Sequence, residues 1–431
     1  MSQLRHDAEF DPTMVTEITD RGYTVQRANV SRELMDAWRS VVSRGFLDSE
    51  PTDEQLAAFF DRNKDYRLIG IYDPQAAVPE MPVATLGAWG ARLTVPGGEL
   101  ESFAVSAVTV APTHRRRGLL RSLLGGELRA AAHAGFPIAS LTVSESSIYG
   151  RFGFAPAALA ADAEISVRQA GWIGPEPDGR IDFLTREQGR AVADELHERV
   201  RAGRPGEVDH RAGAWDYTFG TMPAVEKAGA IRVVQYRSPA GQVDGLAVYT
   251  VTENETNFPD STLNLQRFIA ATDDAYPALW RFLLSLDLIG TIRASELSID
   301  EPLWWMIADR RAARVSVLDH HYLRVLDVAA ALEARRYDRT DELVLDVSDP
   351  LGIAGGRFHL TTAESGAATV RPAESSATPD VELGIAELSA MLLGGVSAVT
   401  LARAGRLRSP DPERVARLFA GTVTPQLSFW Y

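Results

Sequence analysis

Residues 102–144 alternate between two periodicities. SFAVSAVTV (102–110) is rich in β-branched residues and reads as a strand. HRRRGLLRSLLGGELRAAAHAG (114–135) carries apolar residues at helical spacing and closes on Gly135. PIASLTVS (137–144) is a strand again. Two strands joined by a single helix must run parallel, with a right-handed crossover. Ligands of such sheets bind beyond the carboxyl ends of the strands. In this chain that place is Val110, Val143 and the residues just after them.

The turn that follows Val110 carries the chemistry. In THRRRGLL (113–120), Thr113 suits a helix N-cap, which would put Arg115, Arg116 and Arg117 in the first helical turn. Cations there are unfavourable by ~0.3–1 kcal/mol each, because the helix N-terminus is itself positive. Free backbone N–H groups, a glycine that lets the backbone approach and converging arginines together describe a phosphate cradle. A solvated basic turn is the plainer alternative. The GxGxxG and GxxxxGK[ST] patterns of other phosphate sites are absent.

Around this unit, GYTVQRANV (22–30), YRLIGIYD (66–73), VATLGAWGARLTV (83–95) and DAEISVRQ (162–169) read as strands. RELMDAWRSVVSRGF (32–46) and EQLAAFF (54–60) read as helices, and SSIYGRFGF (146–154) as a short helix ending at glycine. At one domain per ~150 residues, 431 residues imply about three domains. GWIGPEPDGR (171–180) is a glycine- and proline-rich joint, so boundaries are expected at 1–170, 171–317 and 318–431. Residues 108–128 align without gaps on 268–288, keeping Ala111/Ala271, Leu119/Leu279, Arg121/Arg281, Leu123/Leu283 and Leu124/Leu284. Arg116, Arg117 and Gly118 meet Tyr276, Pro277 and Ala278. The pattern predicts a duplicated domain whose second copy lost its anion site. The last block reads as helices 328–337, 385–394 and 411–421 around strands, with QLSFWY as a closing strand.

Composition narrows the chemistry. Without cysteine there is no disulfide, thiolate metal site or cysteine nucleophile, and no metal is expected. No apolar run reaches the ~20 residues of a membrane span, and MSQLRHDAEFDP is too polar for a signal peptide. The expectation is a cytoplasmic protein without membrane partners. A net charge of −14 disfavours nucleic acid and suits either solubility or a polycationic substrate.

The turn resembles motif A of the GCN5-related N-acetyltransferases, [QR]-x-x-G-x-[GA], which wraps the pyrophosphate of acetyl-CoA. Arg115 and Gly118 match, whereas Leu120 stands where Gly or Ala is usual. YGRFGF (149–154) resembles the tyrosine–glycine–phenylalanine signature of the same fold. More narrowly, VAPTHRRRGLLR (110–121), Ser144–Glu145 and IYGRFG (148–153) resemble the Eis (enhanced intracellular survival) family, Leu120 included. That resemblance implies an α/β (α+β) architecture: two tandem GNAT domains, the second degenerate, and a C-terminal sterol-carrier-type domain. It implies acetyl-CoA held by Val108, Thr109, Val110, Arg116, Arg117, Gly118, Leu119, Leu120, Arg121, Ser144 and Glu145. It further implies a homohexamer that acetylates amines of aminoglycosides, often at several positions, or lysine side chains.

Amide formation from a thioester needs a deprotonated amine, a polarised carbonyl, attack geometry and a proton for the leaving thiolate. Backbone N–H near Val108–Val110 can serve the carbonyl, and Tyr149 is the candidate acid. His114 lies in the cradle and His133 late on the long helix, which leaves the base unassigned by the residues alone. LSFWY (427–431) reads either as a strand end buried in a core or as an end needed at a defined place. The resemblance implies the second: the α-carboxylate of Tyr431 as base. Trp38, Phe46 and Asp48 are candidate acceptor contacts, and Ala107 stands where many families place an aromatic. A reading from another class is a non-catalytic lipid-binding protein.

Overall fold

The computed structural model describes residues 8–211, 213–222, 225 and 227–431, so part of the polar N-terminus read above lies outside the described residues. The chain forms two compact units. One holds the chain up to Ala157, His321–Thr422 and Tyr431, and the other holds Ala158–His320 and Val423–Trp430. No helix among the described residues is long and apolar enough to cross a membrane.

In the first unit, α1 (Pro12–Thr19), α2 (Arg32–Gly45) and α3 (Asp53–Asn63) accompany β1 (Thr24–Arg27), β2 (Arg67–Tyr72), β3 (Ala84–Val95) and β4 (Gly98–Val110). Then come α4 (Leu119–His133), β5 (Ile138–Thr142) and the single turn α5 (Ser146–Tyr149). The helix starts follow local chemistry: Asp11 caps α1, Ser31 caps α2, and Thr52 with Gln55 forms a capping box on α3. The sheet order is β1-β2-β3-β4-β5, followed by the end of a long strand, His321–Val325. The β4–β5 pair is parallel, as the crossover requires, and the other pairs are antiparallel.

One face of this sheet is covered by α1 and α4, where Leu119, Leu123, Leu124 and Leu128 are buried with Phe103, Phe136 and Leu141. Full burial of each such side chain contributes ~1.5–3 kcal/mol. Glycine within α4 weakens the isolated helix by ~1 kcal/mol, but Gly126 lets α1 approach: a Cβ there would meet Cβ of Met14 at 2.5 Å. Beside it, Glu127 is paired with Arg67 at 2.6 Å, both fully buried. The other face carries a smaller cluster of Ala28, Met35, Trp38, Val42 and Leu68 under α2.

The rest of this unit is a five-stranded sheet in the order 368–372, 356–362, 341–348, 381–384, 407–408, with helices Val328–Ala334, Ile385–Met391, Ala398–Arg403 and Pro412–Phe419. Arg335, wholly buried, donates to the carbonyls of Leu392 and Phe419 near the ends of two of these helices. A cation is favoured at that end of a helix.

In the second unit, β6 (Ala155–Ser166) precedes the short α6 (Val167–Ala170), β7 (Arg180–Leu184), α7 (Arg186–Arg201), α8 (Ala214–Thr218), β8 (Arg232–Arg237), β9 (Val243–Thr252), β10 (Ser261–Ala270), α9 (Ala275–Leu284) and β11 (Ile289–Leu297). Sheet order is β6-β11-β10-β9-β8-β7, and β10–β11 is parallel. The β10–α9–β11 crossover repeats β4–α4–β5, and β10 keeps a bulge between Leu265 and Arg267. Where the first copy has Arg116, Tyr276 folds into the core, edge-on to Phe268, with its hydroxyl bonded to Glu301 and to the N–H of Leu303. That filling is the physical form of the lost anion site.

Two expectations are corrected. The long helix begins at Leu119 instead of residue 114, after a separate short turn Pro112–His114. Arg116 has φ 64 and Gly118 φ 81, conformations that a helix cannot contain, so the arginines precede it. The closing segment QLSFWY is not a strand. Its polar backbone groups are satisfied singly within the second unit: Gln426 N–H by the Pro205 carbonyl, Ser428 N–H by Glu207, and the Phe429 carbonyl by His320 at 3.0 Å. The Phe429 ring stacks on His210 at 3.9 Å.

Candidate active site

The gap between β4 and β5 is built by one residue. Ala107 sits at φ 52, and the β3–β4 register shifts there. The Thr85 hydroxyl holds the bulge, bonding the Ala107 carbonyl at 2.8 Å and Thr109 Oγ1 at 2.7 Å. The parallel ladder ends at Val105 and Leu141. Beyond it Thr109 and Val110 still pair with β3 on one side, while Val108, Thr109 and Val110 have no ladder partner in β5. A bulge that bends a strand and frees one backbone edge suits an extended ligand that bonds to main chain.

At the open end of the gap lies the arginine turn. His114 anchors it, bonded to Thr113 Oγ1 at 2.8 Å and to Asp73 at 3.0 Å, and that bond holds the Asp73 carboxyl below its ordinary range. Gly118 caps α4 in the left-handed conformation without any side-chain bond. The first helical bond runs from Ser122 N–H to the Gly118 carbonyl, so the N–H groups of Leu119, Leu120 and Arg121 come before it. Leu119 is buried in the core and Leu120 packs against it, while Arg115, Arg116 and Arg121 are exposed. Arg117 is turned toward the Tyr23 hydroxyl at 2.7 Å and the Thr113 carbonyl at 3.1 Å. Arg21 joins the turn from beyond α1: its guanidinium lies 3.5 Å from where a Cβ on Gly118 would stand. Nothing in the sequence around Arg21 and Tyr23 marks them for this place. Donors, cations and a free strand edge fit a pyrophosphate and the amide-bearing arm behind it.

After β5 come Ser144 and Glu145, both exposed, and α5. Tyr149, at its end, is buried, edge-on to Phe154. Burial, reinforced by Glu145, pushes its phenol up to about 12. The chain then turns through Gly153 at φ 87, where a Cβ would meet Nε of Arg324 at 2.5 Å. Arg324 donates to the Phe152 carbonyl at 2.8 Å and pairs with Asp349 at 2.7 Å, both side chains fully buried. The glycine of YGRFGF is therefore demanded twice, by its backbone angle and by the arginine beneath it.

Tyr431 lies in the same unit as β4 and β5. Its main-chain oxygen accepts from Thr142 Oγ1 at 2.6 Å, its ring meets Trp89 edge-on at 5.4 Å, and its hydroxyl donates to Ser140 Oγ at 2.8 Å. Trp38 is 2% exposed, stacked on Phe59, with its ring N–H on the Ile69 carbonyl, so it is placed as a core residue under α2. Phe46 and Asp48 lie beyond the end of α2 and are exposed.

Residues 28–157 match the acetyltransferase (GNAT) domain, residues 206–325 a second acetyltransferase (GNAT) domain, and residues 328–428 the sterol carrier protein domain. An uncharacterized N-acetyltransferase of Streptomyces avermitilis is 38% identical over 387 residues, 86% of this chain and 89% of that protein. N-acetyltransferase Eis of Mycobacterium tuberculosis is 34% identical over 351 residues, 78% of this chain and 83% of that one. The crystal structure of Eis1 from Mycobacterium abscessus superposes with a TM-score of 0.80 at 28% identity, covering 95% of this chain and all of that one. With two GNAT domains, the second stripped of its arginine turn, and a sterol-carrier domain behind them, the chain belongs to the Eis family of GCN5-related N-acetyltransferases.

Proposed function

We propose that this N-acetyltransferase moves acetyl groups from acetyl-CoA to the primary amines of a cationic, multi-amine acceptor such as an aminoglycoside. The observation that carries the donor side is the opened β4–β5 ladder with the arginine turn at its mouth. The pyrophosphate is assigned to Arg116, Arg117, Gly118, Leu119, Leu120 and Arg121, the arm to Val108–Val110, and further contacts to Ser144 and Glu145. The net charge of −14 supports a cationic acceptor. Phe46 and Asp48, exposed beyond α2, are offered as acceptor contacts, and with them Trp38, whose ring lies in the core under α2. Work is divided among domains 1–170, 171–317 and 318–431, within a cytoplasmic homohexamer, by analogy with the family.

Bound acetyl-CoA supplies an acetyl thioester. Backbone N–H groups at the bulge polarise its carbonyl as charge builds on oxygen. The Tyr431 α-carboxylate takes the proton of the attacking amine. Tyr149 donates toward the departing sulfur. With its phenol at about 12, Tyr149 stays protonated throughout the working range. Complete transfer to a free thiolate of pKa ~8.5 would cost about 5 kcal/mol. Tyr149 therefore acts by hydrogen bonding as charge develops, in a site whose burial raises the proton affinity of the sulfur as well; as the C–S bond breaks, the thiolate takes its proton from solvent, and the Tyr431 carboxyl returns the amine's proton to solvent.

The test is thiol release from acetyl-CoA with an aminoglycoside as acceptor; the chain has no cysteine to add background. Release above one equivalent per acceptor is expected. Saturation by a lysine peptide at lower concentration than by the aminoglycoside would replace the acceptor assignment.

A further inference from the structure

Tyr431 is held by side chains from three strands of the first unit: β3, β5 and the strand that ends at Val325. Thr142 is the first residue of β5 beyond the last rung of its ladder with β4. Its hydroxyl donates to the Tyr431 main-chain oxygen at 2.6 Å, at the point where the gap opens. Two residues earlier, on the same face of β5, Ser140 Oγ accepts from the Tyr431 phenol at 2.8 Å and from Ser102 Oγ of β4 at 2.8 Å. His321 faces Thr142 across the antiparallel pair and lies 2.9 Å from the same phenol through Nε2. Because the phenol donates to Ser140, it can take only an acceptor role toward His321, so Nε2 carries the proton. Ser140 and Thr142 from β5, Ser102 from β4, His321 from the next strand and Trp89 from β3 thus stand around Tyr431. Of these named groups, His321 is titratable.

A ring fixed at its hydroxyl, its edge and its main-chain oxygen has its carboxyl fixed too. We propose that Thr142, Ser140 and His321 are positioning residues for the Tyr431 carboxylate, with Thr142 setting its proton affinity and the phenol bonds its direction. This rests on the reading of that carboxylate as the base. A hydroxyl that donates to a carboxylate favours the ionised form, so the Thr142 bond makes the group ionised over a wider range while keeping one oxygen turned inward. The phenol is a neutral anchor, since burial pushes it up against the pull of Ser140.

The experiment titrates the full chain carrying carboxyl-13C tyrosine by NMR, where the terminal carboxyl moves with its own ionisation. Thr142→Val should raise that midpoint by about one pKa unit, and Thr142→Ser should return it to the parent value. Tyr431→Phe keeps the carboxylate and removes its anchor, so kcat should fall about tenfold while KM for acetyl-CoA stays within twofold. An unmoved midpoint in Thr142→Val would overturn the role of Thr142, and an undiminished kcat in Tyr431→Phe would overturn the role of the phenol bonds to Ser140 and His321. Appending one alanine after Tyr431 separates the two ideas. Lost turnover with an unmoved Thr142→Val midpoint retains the base and overturns the positioning role. Full turnover in the extended chain removes the base and this inference with it.

Discussion

Gly118→Ala isolates what the turn contributes to donor binding. Gly118 stands at φ 81 and caps α4 without a side chain. An added Cβ meets nothing closer than the Arg21 guanidinium at 3.5 Å, ordinary van der Waals contact. No protein atom excludes the methyl group, so within the protein the penalty is conformational. An alanine in the left-handed region costs ~1–2 kcal/mol, and the loop relieves it by rotating the N–H groups of Leu119 and Leu120 off target. If the strain is borne in the bound state, acetyl-CoA affinity falls about 5- to 30-fold, since 1.4 kcal/mol is a factor of ten. Isothermal titration with acetyl-CoA reads that change. Gly118→Asn is the control, because asparagine tolerates this conformation, so its loss should be several-fold smaller. Equal losses in the two variants would refute the conformational reasoning and implicate bulk. Unchanged affinity in both would refute the role of the turn.

Gly153→Ala should be the harsher glycine change, because φ 87 is joined by a Cβ contact of 2.5 Å with Arg324; thermal unfolding should show a larger loss of stability than for Gly118→Ala, by more than ~1 kcal/mol. Tyr149→Phe should lower kcat about 10²-fold with KM for acetyl-CoA little changed, as measured by steady-state thiol release. A phenol at about 12 is still protonated below pH ~11, so Tyr149 should impose no descending limb on the rate profile up to about pH 10.

The sequence carried the β–turn–α–β unit and the YGRFGF signature because each is written in residues close together in the chain, and the repeat because the same local pattern returns further along it. Periodicity located α4, but its start was misplaced by five residues, from 114 to Leu119. A run of three arginines gives no local sign that Arg116 will take a positive φ. The aromatic end was legible as buried or as needed at a defined place, and its partners were not. Glu207, His210 and His320 hold Ser428 and Phe429 by side-chain bonds and stacking, which leave no period to read. Likewise Ser102, Ser140, Thr142 and His321 look like ordinary strand residues until the sheet brings them to Tyr431. An aromatic ring on the first long helix suits an acceptor contact, but the ring of Trp38 is packed in the core under α2.

The most direct measurement is mass spectrometry of an aminoglycoside after incubation with the full chain and acetyl-CoA. The expected result is a ladder of products, each one acetyl group heavier than the last, that reaches at least two groups and disappears without enzyme. An unmodified acceptor, with acetyl-CoA bound and intact, would contradict the proposed reaction.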